Sequence, residues 1–166
     1  MSRLSDIDLP ESLPIHNNLV RALWHNPEMF KDFGRLSMRV HSASHLDARL
    51  RELAVLRVIA RLRADFEWGN HVPAARDVGV TDDEIRAIRD GELDAFDGRE
   101  LIAIRLADAI DGVEVDDALW SEGLAHFSEV ELLDLTLLVA FYGFASRCVL
   151  ALGIGLDDGG QGFDQP

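Results

Sequence analysis

Helix-start signals recur along this chain of 166 residues, while the apolar-polar alternation of β-strands is almost absent. Candidate caps precede apolar segments of helical spacing at Asn26-Pro27, at Asp47, at Asp65, and at the Thr-x-x-Glu and Ser-x-x-Glu boxes of residues 81–84 and 128–131. Gly79 is placed to end the helix that Asp65 would begin. The pattern therefore predicts an all-α fold built from short and medium helices.

Composition limits the partners of the chain. Hydrophobic residues make up 48% and charged residues 28%, which is ordinary for one globular domain. The net charge of −14 and the scattered basic residues argue against binding to nucleic acid or to an anionic membrane. The first residues show no signal-peptide pattern, and the single cysteine cannot form an internal disulfide, so we expect a cytoplasmic protein.

The last long helix is predicted to run to about Leu152 and is apolar almost all round. Its charge-free stretch, residues 135–146, is shorter than the roughly 20 residues of a membrane span, so we interpret it as a buried helix. One core of this size does not need so much apolar surface. We therefore expect a homo-oligomer with this helix at a subunit interface.

Residues 52–71 read ELAVLRVIARLRADFEWGNH and hold the best candidates for chemistry. Glu67 and His71 are four residues apart and share one face of a helix. Glu52 can meet them if the chain turns back on itself between two helices. Two carboxylates and an imidazole could then converge on one pocket, where one of the two acids would have a raised pKa.

This segment resembles the carboxymuconolactone decarboxylase and AhpD-like family, whose helical domain has a glutamate followed by a Cys-x-x-Cys-x-x-x-His motif. In that register Glu52 matches the glutamate, Ala64 and Glu67 stand where the family has its two cysteines, and His71 matches the histidine. The resemblance implies an AhpD-like helical bundle over residues 16–155, assembled as a trimer or hexamer. Residues 1–15 are then an N-terminal extension, and residues 156–166 are predicted to be a flexible acidic tail.

Both thiols of the family motif are absent, and thiol peroxidase chemistry needs them. The only cysteine, Cys148, lies in the apolar last helix, where a small buried hydrophobic role is the more usual one. We therefore predict no thiol peroxidase activity.

We assign His71, Glu67 and Glu52 as the candidate catalytic residues, with His71 as general acid or base positioned by Glu67. The alternative is an ordinary Glu-His pair on a helix surface. Trp68 and Tyr142 are the candidate substrate-binding residues, although both residue types are more often core packing in such helices.

Metal and cofactor sites receive less support. Glu52, Glu67 and His71 are adequate ligands for zinc or iron, but the Glu-x-x-His pairs of di-iron bundles are missing and the resemblance implies no metal. His41 and His45, four residues apart, are more typical of a solvated pair than of a metal or carboxylate site. Nucleotide-binding and serine-hydrolase motifs are absent from the sequence. We expect neither a metal nor a cofactor.

The resemblance implies a cofactor-independent enzyme of the carboxy-lyase type that acts on a small lactone, enol or carboxylated ring compound. His71 would protonate the electron-rich carbon that remains after carbon dioxide leaves. The alternative is a non-catalytic ligand-binding or assembly protein that kept the fold after the loss of its thiols.

Overall fold

The computed structural model describes residues 2–42 and 44–164 and folds them into helices, with no strand among these residues. The helices are α1 (Asn18–Leu23), α2 (Pro27–Ser42), α3 (Ala48–Leu62), α4 (Asp65–Asp77), α5 (Asp82–Asp90), a 3-10 turn (Leu93–Ala95), α6 (Gly98–Gly112), α7 (Asp117–His126) and α8 (Glu129–Leu152). The all-α prediction is confirmed.

Local hydrogen bonds explain most of these helix starts. The Asp47 carboxylate accepts from the backbone N–H of Leu50 at 2.9 Å, and both capping boxes, at the starts of α5 and α8, are formed. The prediction for Asp65 is wrong, because α4 begins at that residue and Ala64 precedes it without a side-chain cap. The Asp65 carboxylate instead accepts from the distant backbone N–H of Phe163 at 2.7 Å.

Helix α3 is the centre of the bundle and packs against α4, α5, α6 and α8. Its residues Leu53, Leu56 and Ile59 are completely buried, and Glu52 on the same helix is 2% exposed. Neighbours on several sides therefore hold the Glu52 side chain in a fixed position.

Helix α8 is long and apolar enough to cross a membrane by length and composition alone, and half of its most apolar window is buried inside the protein. It packs along α3 and α6 and brings Tyr142 into the core at 5% exposure. These contacts are those of a core helix. The side of α8 that faces away from the bundle leaves Leu133, Leu137 and Phe144 about half exposed.

The two chain ends pack on the bundle. Backbone N–H of Arg3 donates to the carbonyl of Leu152 at 2.8 Å. At the other end Phe163 is 5% exposed and its ring lies edge-on to Trp68, with centroids 5.0 Å apart. The segment predicted as a flexible tail thus packs on the bundle as far as Phe163, and the exposed Asp164 makes a salt bridge with Arg63. Residues 165–166 lie outside the described residues. The domain boundaries at 15 and 155 stay predictions.

Candidate active site

Glu52 and His71 meet in the interior between α3 and α4. The Nδ1 atom of His71 lies 2.9 Å from Oε2 of Glu52, although nineteen residues separate them in the chain. The turn between the helices makes this possible: Arg63 adopts the left-handed conformation at φ 50° and Ala64, fully buried, lets α4 fold back against α3. The sequence-based expectation that these two residues could converge is realised in the structure.

A third residue, His41 near the end of α2, joins them. Its Nε2 atom lies 2.6 Å from Oε1 of Glu52, so one carboxylate receives an imidazole on each oxygen. Sequence reasoning missed His41 because eleven residues and a helix junction separate it from Glu52. Its only sequence signal is the His-x-x-x-His pair with His45, and the structure divides that pair: His45 contacts Asp134 at 2.8 Å and is exposed.

The charge state of Glu52 fixes the protons of both rings. Burial by itself raises the pKa of the Glu52 carboxyl, but the hydrogen bonds from His41 and His71 outweigh it and lower that pKa to about 2. A carboxylate has only acceptor atoms, so each facing ring nitrogen must carry a hydrogen. Nδ1–H of His71 therefore donates to Glu52, and the Nε2 atom of His71 is left for another partner.

The surroundings of Glu67 differ from the expectation that this residue positions His71. Its side chain is 6% exposed, and no described residue donates a hydrogen bond to its carboxylate. Burial raises the pKa of Glu67, with His71 acting weakly in the opposite direction. Glu52, rather than Glu67, orients His71. Of the two acids, Glu67 is the one with the raised pKa, and its burial away from water is the cause.

Tyr142 comes from α8 to the same place. Its ring is perpendicular to that of His71 with centroids 4.7 Å apart, and its centroid lies 6.3 Å from that of His41. Burial, and then the carboxylates of Glu52 and Glu67, raise the pKa of Tyr142, so its hydroxyl stays protonated and able to donate. Among the described residues none accepts from this hydroxyl.

A cavity of about 140 Å³ opens beside these groups. Its walls combine apolar or aromatic side chains with polar ones in about equal number. The apolar and aromatic residues are Leu19, Phe33, Phe66, Phe141, Tyr142 and Ala145, and the polar ones are Asn17, Ser37, Glu67, Asn70 and His71. Apolar surface around converging polar groups is typical of small-molecule sites. The cavity has room for a small ring compound.

Trp68 does not line this cavity. It faces the opposite side of α4, where it contacts Phe163 and borders a second cavity of about 230 Å³ together with Val72 and Arg76. Residues 67 and 68 point to different faces because successive positions on a helix diverge. Of the five proposed site residues, the structure therefore brings together Glu52, Glu67, His71 and Tyr142 and separates Trp68 from them.

Neither position that holds a cysteine in the family motif has a sulfur atom in this chain. Ala64 is fully buried at the turn before α4, and Glu67 borders the cavity. Burial raises the pKa of the Cys148 thiol on α8, which disfavours the thiolate that attacks peroxides.

The sequence profile of the carboxymuconolactone decarboxylase family matches residues 27–109, which is half of the chain and contains Glu52, Glu67 and His71. No curated protein matches the chain by sequence. His41, Glu52, Glu67 and His71 lie within the matched part. Tyr142 and four of the cavity walls, Asn17, Leu19, Phe141 and Ala145, lie outside it.

Solved structures share the fold at low sequence identity. A protein of unknown function from Agrobacterium tumefaciens, a proposed antioxidant defence protein AhpD, is 21% identical with a TM-score of 0.76 and covers 82% of this chain and 95% of its own. An uncharacterized peroxidase-related protein from Silicibacter sp. TM1040 is 17% identical with a TM-score of 0.79, over 89% and 80%.

The debrominase Bmp8, in a structure of a variant with 2,3,4-tribromopyrrole, is 18% identical with a TM-score of 0.75, over 88% of this chain and 80% of its own. The TM-scores establish the AhpD-like fold of the present chain, and identities at this level leave its reaction open.

Proposed function

The chain belongs to the carboxymuconolactone decarboxylase family, and from this premise we propose that it is a cofactor-independent enzyme that moves a proton on a small carboxylated ring compound or lactone. The observation that carries the proposal is the hydrogen bond from Nδ1 of His71 to Glu52 at 2.9 Å. It fixes the ring so that Nε2 is the atom available to a substrate.

The cavity supplies the groups that such a reaction needs. When a carboxylate leaves as carbon dioxide, the C–C bonding electrons stay on the ring carbon as an enolate. Imidazolium Nε2–H of His71 then gives its proton to that carbon, and water restores the proton to the ring. The hydroxyl of Tyr142 borders the same cavity and would donate to the enolate oxygen.

Glu52 and Glu67 have separate roles in this proposal. Glu52 is ionised and stabilises the imidazolium that forms when His71 is protonated. Burial favours the neutral form of Glu67, which can donate a second hydrogen bond to a carboxylate or enolate of the substrate. A related fold that holds a bromopyrrole is consistent with a planar ring as the ligand class.

The experiment measures carbon dioxide release from γ-carboxymuconolactone and a panel of carboxylated lactones and β-keto acids. Running it in deuterium oxide adds a second readout, since proton transfer places deuterium on carbon even where no carbon dioxide leaves. Wild type is compared with His71→Ala, and His45→Ala is the matched control because His45 pairs with Asp134 outside the site.

We expect His71→Ala to lose turnover by about 10²–10⁴-fold and His45→Ala to keep it. If the wild type binds a panel member but gives neither carbon dioxide nor deuterated product, the proposal fails and a ligand-binding protein is favoured. If His71→Ala lowers the affinity for a substrate but not the turnover rate of the bound substrate, the result also favours a ligand-binding protein.

Peroxidase activity is a separate question. We propose that the chain has none, because Ala64 and Glu67 replace the thiols and burial raises the pKa of the Cys148 thiol. Appreciable hydroperoxide turnover that disappears in Cys148→Ser would contradict this.

A further inference from the structure

Three metal-ligating side chains from three helices converge at the site. His41 on α2, Glu52 on α3 and His71 on α4 each offer a ligand atom, and these atoms all lie within 4.8 Å of one another. This set differs from the one considered in the sequence, because His41 takes the place of Glu67. It consists of two imidazoles and one carboxylate.

We propose that His41, Glu52 and His71 bind one divalent transition metal ion, such as Zn²⁺ or Fe²⁺, through Nε2 of His41, the carboxylate of Glu52 and Nδ1 of His71. Two histidines with one carboxylate are a donor set used both for catalytic zinc and for non-haem iron. Three protein ligands leave further coordination positions for water or a small ligand.

The distances are close to those that an ion requires. Donor atoms held at about 2.0–2.2 Å from one metal ion lie roughly 3–3.5 Å from each other. The contacts of Glu52 with the two rings are 2.6 and 2.9 Å, and all three ligand atoms lie within 4.8 Å of one another, so small shifts of the side chains make room for the ion. A neutral ring moves its hydrogen from the nitrogen that faces Glu52 to its other nitrogen by exchange with solvent, and the metal replaces the two hydrogen bonds.

Burial and access also fit. Glu52 is 3% exposed at its side chain and supplies the anionic ligand in a water-poor interior, where charge attraction is strong. The His41 side chain is 29% exposed and gives the ion an entry path from solvent. The Tyr142 ring packs edge-on against both imidazoles and restricts their rotation, which favours a preformed site.

This inference goes beyond the proposed function and does not depend on it, since metal binding is measured without any substrate. The metal and the two ring protons compete for the same lone pairs, so the metal-bound and hydrogen-bonded forms of the cluster are alternatives. Nε2 of His71 is not one of the metal ligands in the proposal.

The test is a titration of the chelator-treated full-length protein with Co²⁺, which gives visible absorption bands when it is bound by a protein. We expect saturation at one equivalent and displacement of the bands by Zn²⁺. His41→Gln keeps a hydrogen-bond donor for Glu52 but removes the imidazole ligand, and we expect at least about 100-fold weaker binding. His45→Ala is the matched control and should bind as the wild type does.

A second readout is thermal stability, because an ion that binds only the folded state raises Tm. Saturating Zn²⁺ should raise the Tm of the wild type and of His45→Ala but not that of His41→Gln or His41→Ala. The proposal is overturned if the wild type gives no saturable Co²⁺ bands, or if both His41 variants bind Co²⁺ and gain Tm as the wild type does.

Discussion

Nε2 of His41 lies 2.6 Å from Oε1 of Glu52, so a residue outside the recognised motif contacts the carboxylate that also orients His71. The cluster is a His-Glu-His arrangement in which the central acid is buried and ionised. Its geometry leads to predictions that separate the roles of the two glutamates.

The first prediction concerns the ring protons of His71. In the wild type the neutral ring should carry its hydrogen on Nδ1, because that atom faces the Glu52 carboxylate. Glu52→Gln offers an amide in place of the carboxylate, so we expect a mixture of the two tautomers. Long-range ¹H–¹⁵N NMR spectra of the histidine rings measure this. Glu67→Gln is the control and should leave the tautomer unchanged. If the tautomer changes in Glu67→Gln and not in Glu52→Gln, then Glu67 orients His71 and the prediction is wrong.

The second prediction concerns the Tyr142 hydroxyl. No described residue accepts a hydrogen bond from it, so Tyr142→Phe should leave the fold intact with a Tm within about 2 °C of the wild type. If the hydroxyl donates to a developing enolate, turnover on the substrate found should fall by about 10–10³-fold. Steady-state kinetics and a melting curve on the same sample are the measurements. Full activity in Tyr142→Phe would mean that the tyrosine hydroxyl has no role in the reaction.

The third prediction concerns acid sensitivity away from the site. Arg49 contacts Glu84 and Glu100, and its hydrogen bond to Glu84 lowers the pKa of that carboxyl to about 2. A lowered pKa in the folded state contributes stability that is fully present above the unfolded value of 4.5 and is lost as pH falls towards 2.

Glu84→Gln should therefore cost about 1–2 kcal/mol of unfolding free energy at pH 7, and the difference from the wild type should shrink between pH 4.5 and 2. Glutamine still fits the capping box, so the change isolates the charge. Urea unfolding across this pH range is the measurement. Glu129→Gln, an exposed acid in the first turn of α8, is the control and should show a smaller loss.

The fourth prediction concerns the C-terminal segment. The Phe163 ring packs on Trp68, and the Arg63 guanidinium lies over it, 4.7 Å from the ring centroid. Phe163→Ala should lower the unfolding free energy by about 2–4 kcal/mol, because a buried aromatic ring is removed. Phe163→Leu should lose less. An unchanged denaturation midpoint in Phe163→Ala would mean that this segment is as loosely ordered as its composition predicts.

The fifth prediction concerns assembly. Leu133, Leu137 and Phe144 lie four and seven residues apart on the outer side of α8 and are 54%, 48% and 50% exposed. We propose that a second copy of this chain covers this row, as expected from the apolar character of the helix. Leu137→Arg should then reduce the sedimentation mass towards that of one chain. Leu124→Arg, at an equally exposed leucine of α7, should not, and a monomeric wild type would exclude the proposal.

The sequence by itself determined the local structure. Cap residues such as Asp47 and the two capping boxes act within three residues, so their hydrogen bonds could be predicted and were found. The pairing of Glu52 with His71 could also be predicted, because their register matches a family motif. Asp65 was assigned wrongly, since its carboxylate bonds to Phe163, ninety-eight residues away.

Tertiary packing alone decided the composition of the site. The packing of α8 on α3 and of α2 on α8 places Tyr142 and His41 beside His71, and no local spacing encodes this packing. The rotation of α4 about its axis turns Glu67 into the cavity and Trp68 away from it. The physical reason is that capping and periodicity act over one or two turns of chain, whereas a site shared by four helices depends on how whole side-chain surfaces fit together.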